Sequence, residues 1–338
     1  MGHNCLIVDY IRADESILKI EPSLLKGKQN WNSSTIKRLL YLALRQPESI
    51  AAGLSFANER NRYLNLTRRY TSFEELCTDL PPADIYMTGS DQVWGPMVLD
   101  DCDRAYLLSF APDNSKKIAY AASFGREVSS EEAEKVFCAE LAEYSWLGVR
   151  EDSAVKRIAD WGYESTQVLD PTLLLDRREW DSFTSSKSIG DYVLVYQIHN
   201  NKLVDDCACD VSKRLGTKLV RVSPVLHQIT RPGKFKYLPK VDEFLSLIKK
   251  AKCVVTDSFH GTVFSLLFNV PFVEILPANG TSERNESLLR MTGLSHRAVR
   301  SPANFAIAED PIDFSNANEI ISKQRYHSIA FLQAELCS

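Results

Sequence analysis

The 338-residue sequence has no cysteine pattern that a zinc site or a disulfide framework needs. Its eight cysteines (Cys5, Cys77, Cys102, Cys138, Cys207, Cys209, Cys253 and Cys337) are scattered, with Cys207-x-Cys209 the closest pair. Several lie in apolar runs such as Lys252-Cys253-Val254-Val255, where a thiol acts as a small hydrophobe. Neither charge is in large excess, the formal net charge being -4. That argues against nucleic acid or an anionic membrane as the main partner, and leaves any anion site to locally placed cations. No apolar run approaches the roughly 20 residues that span a bilayer, so work near a membrane would be peripheral. The opening Met1–Tyr10 stretch does not read as a signal peptide, and a reduced, cytoplasmic setting, if need be at the inner face of the membrane, is expected. Walker-type Gly-Lys-Ser/Thr loops, a Gly-x-Gly-x-x-Gly after a strand and His-Glu-x-x-His are all missing. These absences argue against kinases, dehydrogenases and metal hydrolases, and no tightly bound metal or cofactor is expected.

What is present is an alternation of strand-like apolar runs with helical patterns, the signature of βα units and mostly parallel sheets. Residues Cys5–Asp9 read as a short strand and 33–67 as helical, with Leu39, Leu40, Leu42 and Leu44 at apolar positions. Strands are expected at Asp84–Thr88, Lys117–Ala122, Trp146–Val149 and Thr166–Leu169, with a helix opened by the capping-box pattern Ser129-Ser130-Glu131-Glu132. Polar, small residues around 179–190 read as a linker between domains 1–178 and 191–316. The rhythm then resumes with strands Tyr192–Gln197, Lys218–Val222, Cys253–Thr256 and Phe272–Leu276, and a proline- and glycine-rich loop lies between the second and third. Residues 317–338 form a last helix, long enough to pack across the junction. Ligands of open parallel sheets sit beyond the carboxyl ends of the strands. The loops 89–94, 123–126, 150–152, 170–172 and 257–262 are therefore the places to look.

The segment from Lys252 to Pro271 is the most informative. A buried strand ends at Thr256, and Asp257 or Ser258 can cap a helix whose first turn holds His260, Gly261 and Thr262. The N–H groups of such a turn favour an anion. Gly261 would allow close approach to the backbone, Thr262 would add a hydroxyl, and His260 could bind a phosphate oxygen or move a proton. A histidine satisfied by its own turn is the plainer alternative.

Four motifs in order resemble the polysaccharide pyruvyl transferase family: Gly89-Ser90-Asp91-Gln92-Val93-Trp94, Val149-Arg150-Glu151-Asp152, Val168-Leu169-Asp170-Pro171-Thr172 and Thr256-Asp257-Ser258-Phe259-His260-Gly261. The resemblance implies an α/β protein with two Rossmann-like domains facing each other across a cleft, similar to the GT-B arrangement. It implies transfer of a pyruvyl group from phosphoenolpyruvate to a sugar diol of a polysaccharide or its precursor, free or lipid-linked, as a ketal with release of phosphate. The acceptor would belong to domain 1–178 and the donor to domain 191–316. The donor set would be Arg150, Ser258, His260, Gly261, Thr262 and Arg284; the acceptor set Ser90, Asp91, Gln92, Trp94 and Ser123; His260 and Asp91 would be catalytic. His260 and Arg150 match the family's His-Gly element and its strand-end arginine.

Each residue has a structural alternative: an ion pair with Glu151 or Asp152 for Arg150, a turn or cap for Asp91, core packing for Trp94, a tight turn for Ser123 and Gly125, a chain-shaping turn for Asp170-Pro171-Thr172, and solvated surface for Arg284. Two departures from the family pattern stand out. Ser258 occupies the position where many members carry a basic residue, and the strand, glycine loop and helix that usually precede the segment matching Cys5–Tyr10 are not in the sequence. A nucleotide-sugar glycosyltransferase and a non-catalytic anion or partner binder are the competing readings.

Overall fold

The computed structural model describes residues 2–11, 34–80, 82–95, 103–125, 131–184, 191–276 and 282–337. It divides into two compact units, residues 1–84 with 109–113, and residues 85–108 with 114–338. In the first unit, β1 (Ile7–Tyr10) is followed by the long helix α1 (Thr35–Tyr63), β2 (Leu66–Tyr70) and α2 (Phe73–Thr78). The two strands pair in parallel. Asp9 is buried at that pairing and takes ion pairs from Arg60 and Arg69, which tie α1 and β2 to β1. Leu39 on α1 is exposed; the side chains of Leu40 and Leu44 lie outside the described residues. The chain turns into β2 where the helical pattern was expected to run on to residue 67.

The second unit is built on two sheets. The first orders β3 (Ile85–Thr88), β4 (Lys116–Ala122), β5 (Trp146–Val149) and β6 (Thr166–Gln167) in sequence. Helices α3 (Glu131–Leu141) and α4 (Asp152–Asp160) return the chain between strands, and the apolar residues they bury (Phe137, Leu141, Ala154, Ile158) join Ala119, Leu147 and Val149 in one core. The capping-box serines before Glu131 lie outside the described residues, as does the expected linker from 185 to 190. Its beginning carries a short helix, α5 (Arg177–Asp181), opened by an Asp176/Glu179 capping box.

The larger sheet is ordered β12-β11-β10-β7-β8-β9, where β7 is Tyr192–Tyr196, β8 Lys218–Ser223, β9 Lys234–Tyr237, β10 Cys253–Thr256, β11 Phe272–Ile275 and β12 Ala298–Val299. All ladders of both sheets are parallel, as the alternating pattern predicts. Strand β9 falls in the stretch that reads as a proline- and glycine-rich loop, and β12 in a stretch for which no element is expected. The flanking Pro232, Gly233 and Pro239 hid the first, and two residues are too few to carry a period for the second. Four helices cover this sheet: α6 (Lys202–Arg214), α7 (Val241–Lys249), α8 (Phe259–Phe268) and α9 (Glu283–Met291). Helix α8 buries nine of its ten residues, all but His260. Its sequence is apolar around the whole circumference, as a helix enclosed on every side must be.

The last helix, α10 (Ser315–Cys337), touches both halves of this unit. Ala317 and Ile321 join the core of the six-stranded sheet. Further along, the Ser328 hydroxyl accepts from the Leu169 N–H and Phe331 stacks on Trp146. Strand order reverses between β7 and β10, where parallel sheets open a crevice. Here that crevice is bridged from within: Asp257, just after β10, accepts the Ile198 and His199 N–H groups just after β7.

Candidate functional site

Each candidate residue leaves the carboxyl end of a parallel strand. Asp91 follows β3 in a left-handed backbone conformation (φ 70°), one that Asp tolerates better than most residues. Its carbonyl accepts the Val93 and Ser123 N–H groups, which fixes the loop against the end of β4. Arg150 follows β5, Asp170 follows β6, His260 sits in the first turn of α8 and Arg284 in the first turn of α9. The second unit brings all five together from both sheets.

Arg150 is the hub, with a side chain only 3% exposed. Its Nη1 donates to Asp170 Oδ2 at 2.7 Å and its Nη2 to Asp91 Oδ1 at 2.9 Å. Glu151 Oε2 lies 3.9 Å from its Nε. Arg284 Nη1 donates to the same Asp91 oxygen at 2.7 Å. The Phe259 ring lies beneath both guanidiniums, at 4.5 Å from the Arg150 carbon and 5.8 Å from that of Arg284. A planar cation over an aromatic face is attracted by the ring and held in orientation. His260 Nε2 is 4.0 Å from Asp170 Oδ1, so imidazole and guanidinium share one carboxylate. Asp170 also accepts from the Thr172 N–H and hydroxyl. It is thus both the turn-former expected from the sequence and a buried partner of the site.

The charges follow from this geometry. Burial disfavours ionised Asp91 and Asp170, yet the Arg150 guanidinium beside each outweighs it, and both carboxyls titrate below the ordinary range. Burial pushes the Glu151 carboxyl up despite Arg150 and the Ser123 hydroxyl. Burial also pulls the His260 imidazole below its ordinary value, against the opposing pull of Asp170 and Asp91. His260 therefore rests neutral near pH 7. Beside the cluster lies a hollow of about 20 Å³ lined by Arg150, Asp170, Phe259 and Arg284 among others. That holds a water or so, and a larger ligand must use the open side where Asp91 is exposed.

Several expected contacts go elsewhere. Trp94 is 1% exposed and packs against Phe124, Phe137 and Tyr144, so it offers no face to a sugar; the apolar ring is worth more in the core than on the loop. The buried Ser123 hydroxyl donates to Glu151 Oε1 and joins two strand ends instead of facing a ligand. Thr262 is wholly buried and bonded to Glu274. A side chain on Gly261 would collide with Thr256 Oγ1, so this glycine serves close packing of helix on strand. Ser258 caps α8 by accepting the Gly261 N–H at 3.4 Å, and its carbonyl takes the Thr262 N–H. The turn expected to favour an anion is thereby left with the Phe259 and His260 N–H groups, uncapped among the described residues. Gln92 lies against Gly125, and Ser90 is half-buried beside Asp91.

Arg284, expected in the donor set with solvated surface as its alternative, is 14% exposed; Asp170 reads as a turn-former and Phe259 only as part of its motif, and neither is in the expected donor or acceptor set. The available signal was an acidic residue ending the apolar run Val168-Leu169 and an aromatic one before the histidine. Among the described residues no group of three or more His, Cys, Asp or Glu side chains is placed to hold a metal. No described helix is long and apolar enough to cross a membrane.

No curated protein matches the chain. Among solved structures it is similar to a UDP-GlcNAc 2-epimerase from Methanocaldococcus jannaschii, at 14% identity over 95% of this chain and 91% of that one, with a TM-score of 0.46. A putative UDP-N-acetylglucosamine 2-epimerase from Listeria monocytogenes gives 10% identity, 96% and 91% coverage and a TM-score of 0.45. An O-GlcNAc transferase mutant from Thermobaculum terrenum gives 12%, 80% and 54%, and 0.37. The family described as polysaccharide pyruvyl transferase matches residues 1–276, a span that includes the strand ends bearing Asp91, Arg150, Asp170 and His260, and on that match the chain belongs to the polysaccharide pyruvyl transferase family.

Proposed function

We propose that this chain transfers the pyruvyl group of phosphoenolpyruvate to two hydroxyls of a saccharide, free or lipid-linked, on the cytoplasmic side of the membrane. The observation that carries the reading is the convergence of two guanidiniums, Arg150 and Arg284, on a single carboxylate oxygen of Asp91, with His260 Nε2 4.0 Å from Asp170 Oδ1. Such a pair of forks suits a small donor bearing a carboxylate and a phosphate, and a neutral imidazole suits proton transfer at neutral pH.

In this reading the first acceptor hydroxyl gives its proton to His260, which passes it to the methylene carbon C3 of the donor while the hydroxyl oxygen bonds to C2. The net step adds the hydroxyl across the enol double bond. The bond from C2 to the phosphate oxygen then breaks, its electron pair leaving with inorganic phosphate. The second hydroxyl bonds to C2, its proton going to the departing phosphate, and the ketal is complete. Asp170 stabilises the transient imidazolium, and the arginines offset the anionic charge of the donor. Arrival of that donor also raises the proton affinity of His260, which suits a group that must hold a proton briefly.

The test follows phosphate release from phosphoenolpyruvate over a panel of saccharides with vicinal or 4,6-diols, for the wild type and for His260→Ala. Turnover by the wild type that the variant loses supports the reading. No phosphate release across the panel, together with a thermal shift by uridine diphosphate but none by phosphoenolpyruvate, refutes it and favours a nucleotide-sugar transferase.

A further inference from the structure

The two arginines that would clamp the donor already hold an anion, and it belongs to the protein. We infer that the Asp91 carboxylate occupies the seat of the donor's carboxylate in the unliganded protein, and that a small organic acid of this class binds by displacing it. The inference rests on the proposed donor reading and adds a competitor and an order of events to it.

The argument begins with unequal burial. Arg150 and Arg284 are 3% and 14% exposed, whereas the Asp91 side chain is 55% exposed. A carboxylate at the solvent edge can swing out into water at small cost; two enclosed guanidiniums cannot follow it. Both are also held from behind: Arg150 by Asp170 and the Phe259 ring, Arg284 by its place on α9, where the next residue, Asn285, is bonded to Glu274. Asp170 is an unsuitable candidate for displacement, because it is buried and fixed by Thr172. The seat is also incompletely filled. Both guanidinium forks meet a single Asp91 oxygen. A free carboxylate, or a carboxylate with a phosphate beside it, can approach on the same open side and engage more of these donors than a tethered side chain does.

Displacement has a functional consequence. Once released, Asp91 is left at the rim of the site with its own charge unpaired, where it can accept a hydrogen bond from a saccharide hydroxyl. The donor therefore binds before the acceptor, and the apparent donor affinity is reduced by the fraction of time Asp91 spends in the seat.

The test measures binding of phosphoenolpyruvate, and separately of oxalate, to the wild type and to Asp91→Asn by isothermal titration. Asn keeps the left-handed backbone that Asp91 adopts; Asp91→Ala, with no acceptor at all, serves as the second variant. Both anions are expected to bind the variants about tenfold tighter than the wild type, the effect of freeing a seat occupied most of the time, while turnover falls. A purely structural role for Asp91 predicts the opposite, weaker binding. Affinity for both anions that is unchanged, weaker or undetectable in both variants overturns the inference, and the donor reading survives if the wild type still binds phosphoenolpyruvate. Tighter oxalate binding with no phosphoenolpyruvate binding by any form upholds the occupied seat and refutes the donor reading instead.

Discussion

Replacing Asp170 by Asn tests the electrostatic core of the site without requiring the acceptor. Asp170 Oδ1 lies 4.0 Å from His260 Nε2. At an effective dielectric of 20, unit charges at that distance attract by about 4 kcal/mol. Arg150 draws on the other oxygen of the same carboxylate at 2.7 Å, and halving the attraction for that competition leaves about 2 kcal/mol, roughly a 30-fold effect on the stability of the imidazolium. The direction follows directly. Burial already disfavours protonated His260, and Asp170 is the largest influence opposing it. With Asp170 neutral, the imidazole must titrate at still lower pH, and the acid limb of kcat/KM, set by the need for a neutral base in the free enzyme, must move the same way. The assay is a proton titration of histidine ring signals in protein labelled at its six histidines, with the His260 signal identified by its loss in His260→Gln. The change also removes one anion from the buried Arg150, so unfolding stability should fall by about 3 kcal/mol. A His260 midpoint that stays in place or rises would refute the assigned coupling, whatever happens to stability.

Three further outcomes are expected. Glu274 is fully buried between Thr262 and Asn285, and burial holds its carboxyl well above the ordinary range. The folded chain thus keeps a proton that the unfolded chain releases above pH 4.5, so this group's contribution is complete below that value and is lost as pH rises. Glu274→Gln should flatten Tm between pH 5 and 9 and exceed the wild type at the alkaline end; a lower Tm at pH 9 contradicts a neutral Glu274. Trp94→Ala should cost about 3–5 kcal/mol in denaturant unfolding and leave phosphoenolpyruvate affinity of the folded protein unchanged. Gly261→Ala should destabilise by about 1–3 kcal/mol, because Thr256 Oγ1 is committed to the Tyr196 carbonyl and the Ser258 N–H and cannot retreat; wild-type stability would show that the helix shifts freely on its strand.

Where the chain obeys a single period, the sequence was legible. The buried strands β4, β5, β7, β10 and β11 are continuous apolar runs, and their boundaries follow from where polar residues begin. The same reading failed where one residue type serves two purposes. Ser-Phe-His-Gly-Thr reads equally as an anion cradle and as a tightly packed helix start; Gly261 and Thr262 face Thr256 and Glu274, and only His260 looks outward. Asp170-Pro171 reads as a turn, and it is one, but the second oxygen of that carboxylate serves Arg150. Arg284 stands among Ser282, Glu283 and Asn285, a polar context typical of solvent. Its partner is 193 positions away, a distance across which no local pattern carries information. Trp94 sits in a loop and is nonetheless core, because the loop folds back over α3 and presents the ring to Phe137.

The serine at position 258 can now be placed in the same physical terms. A basic residue there, two positions before the histidine, would add a cation to the start of α8; Ser258 instead caps the Gly261 N–H and adds none. The second cation of the proposed clamp comes from the next helix, as Arg284, and meets Arg150 over a shared Phe259 ring. Two like charges this close need compensation at rest, and the resting site supplies it in full: Asp170 and Asp91 are ionised, while His260 rests neutral. Adding a donor anion to a site already balanced would be unfavourable unless an internal anion leaves, and only Asp91 stands at the solvent edge. A clamp built from two arginines and one removable aspartate would let an acidic protein bind a small polyanion without a standing excess of positive charge. The same arrangement would make the affinity for that anion depend on a side chain that never needs to touch it.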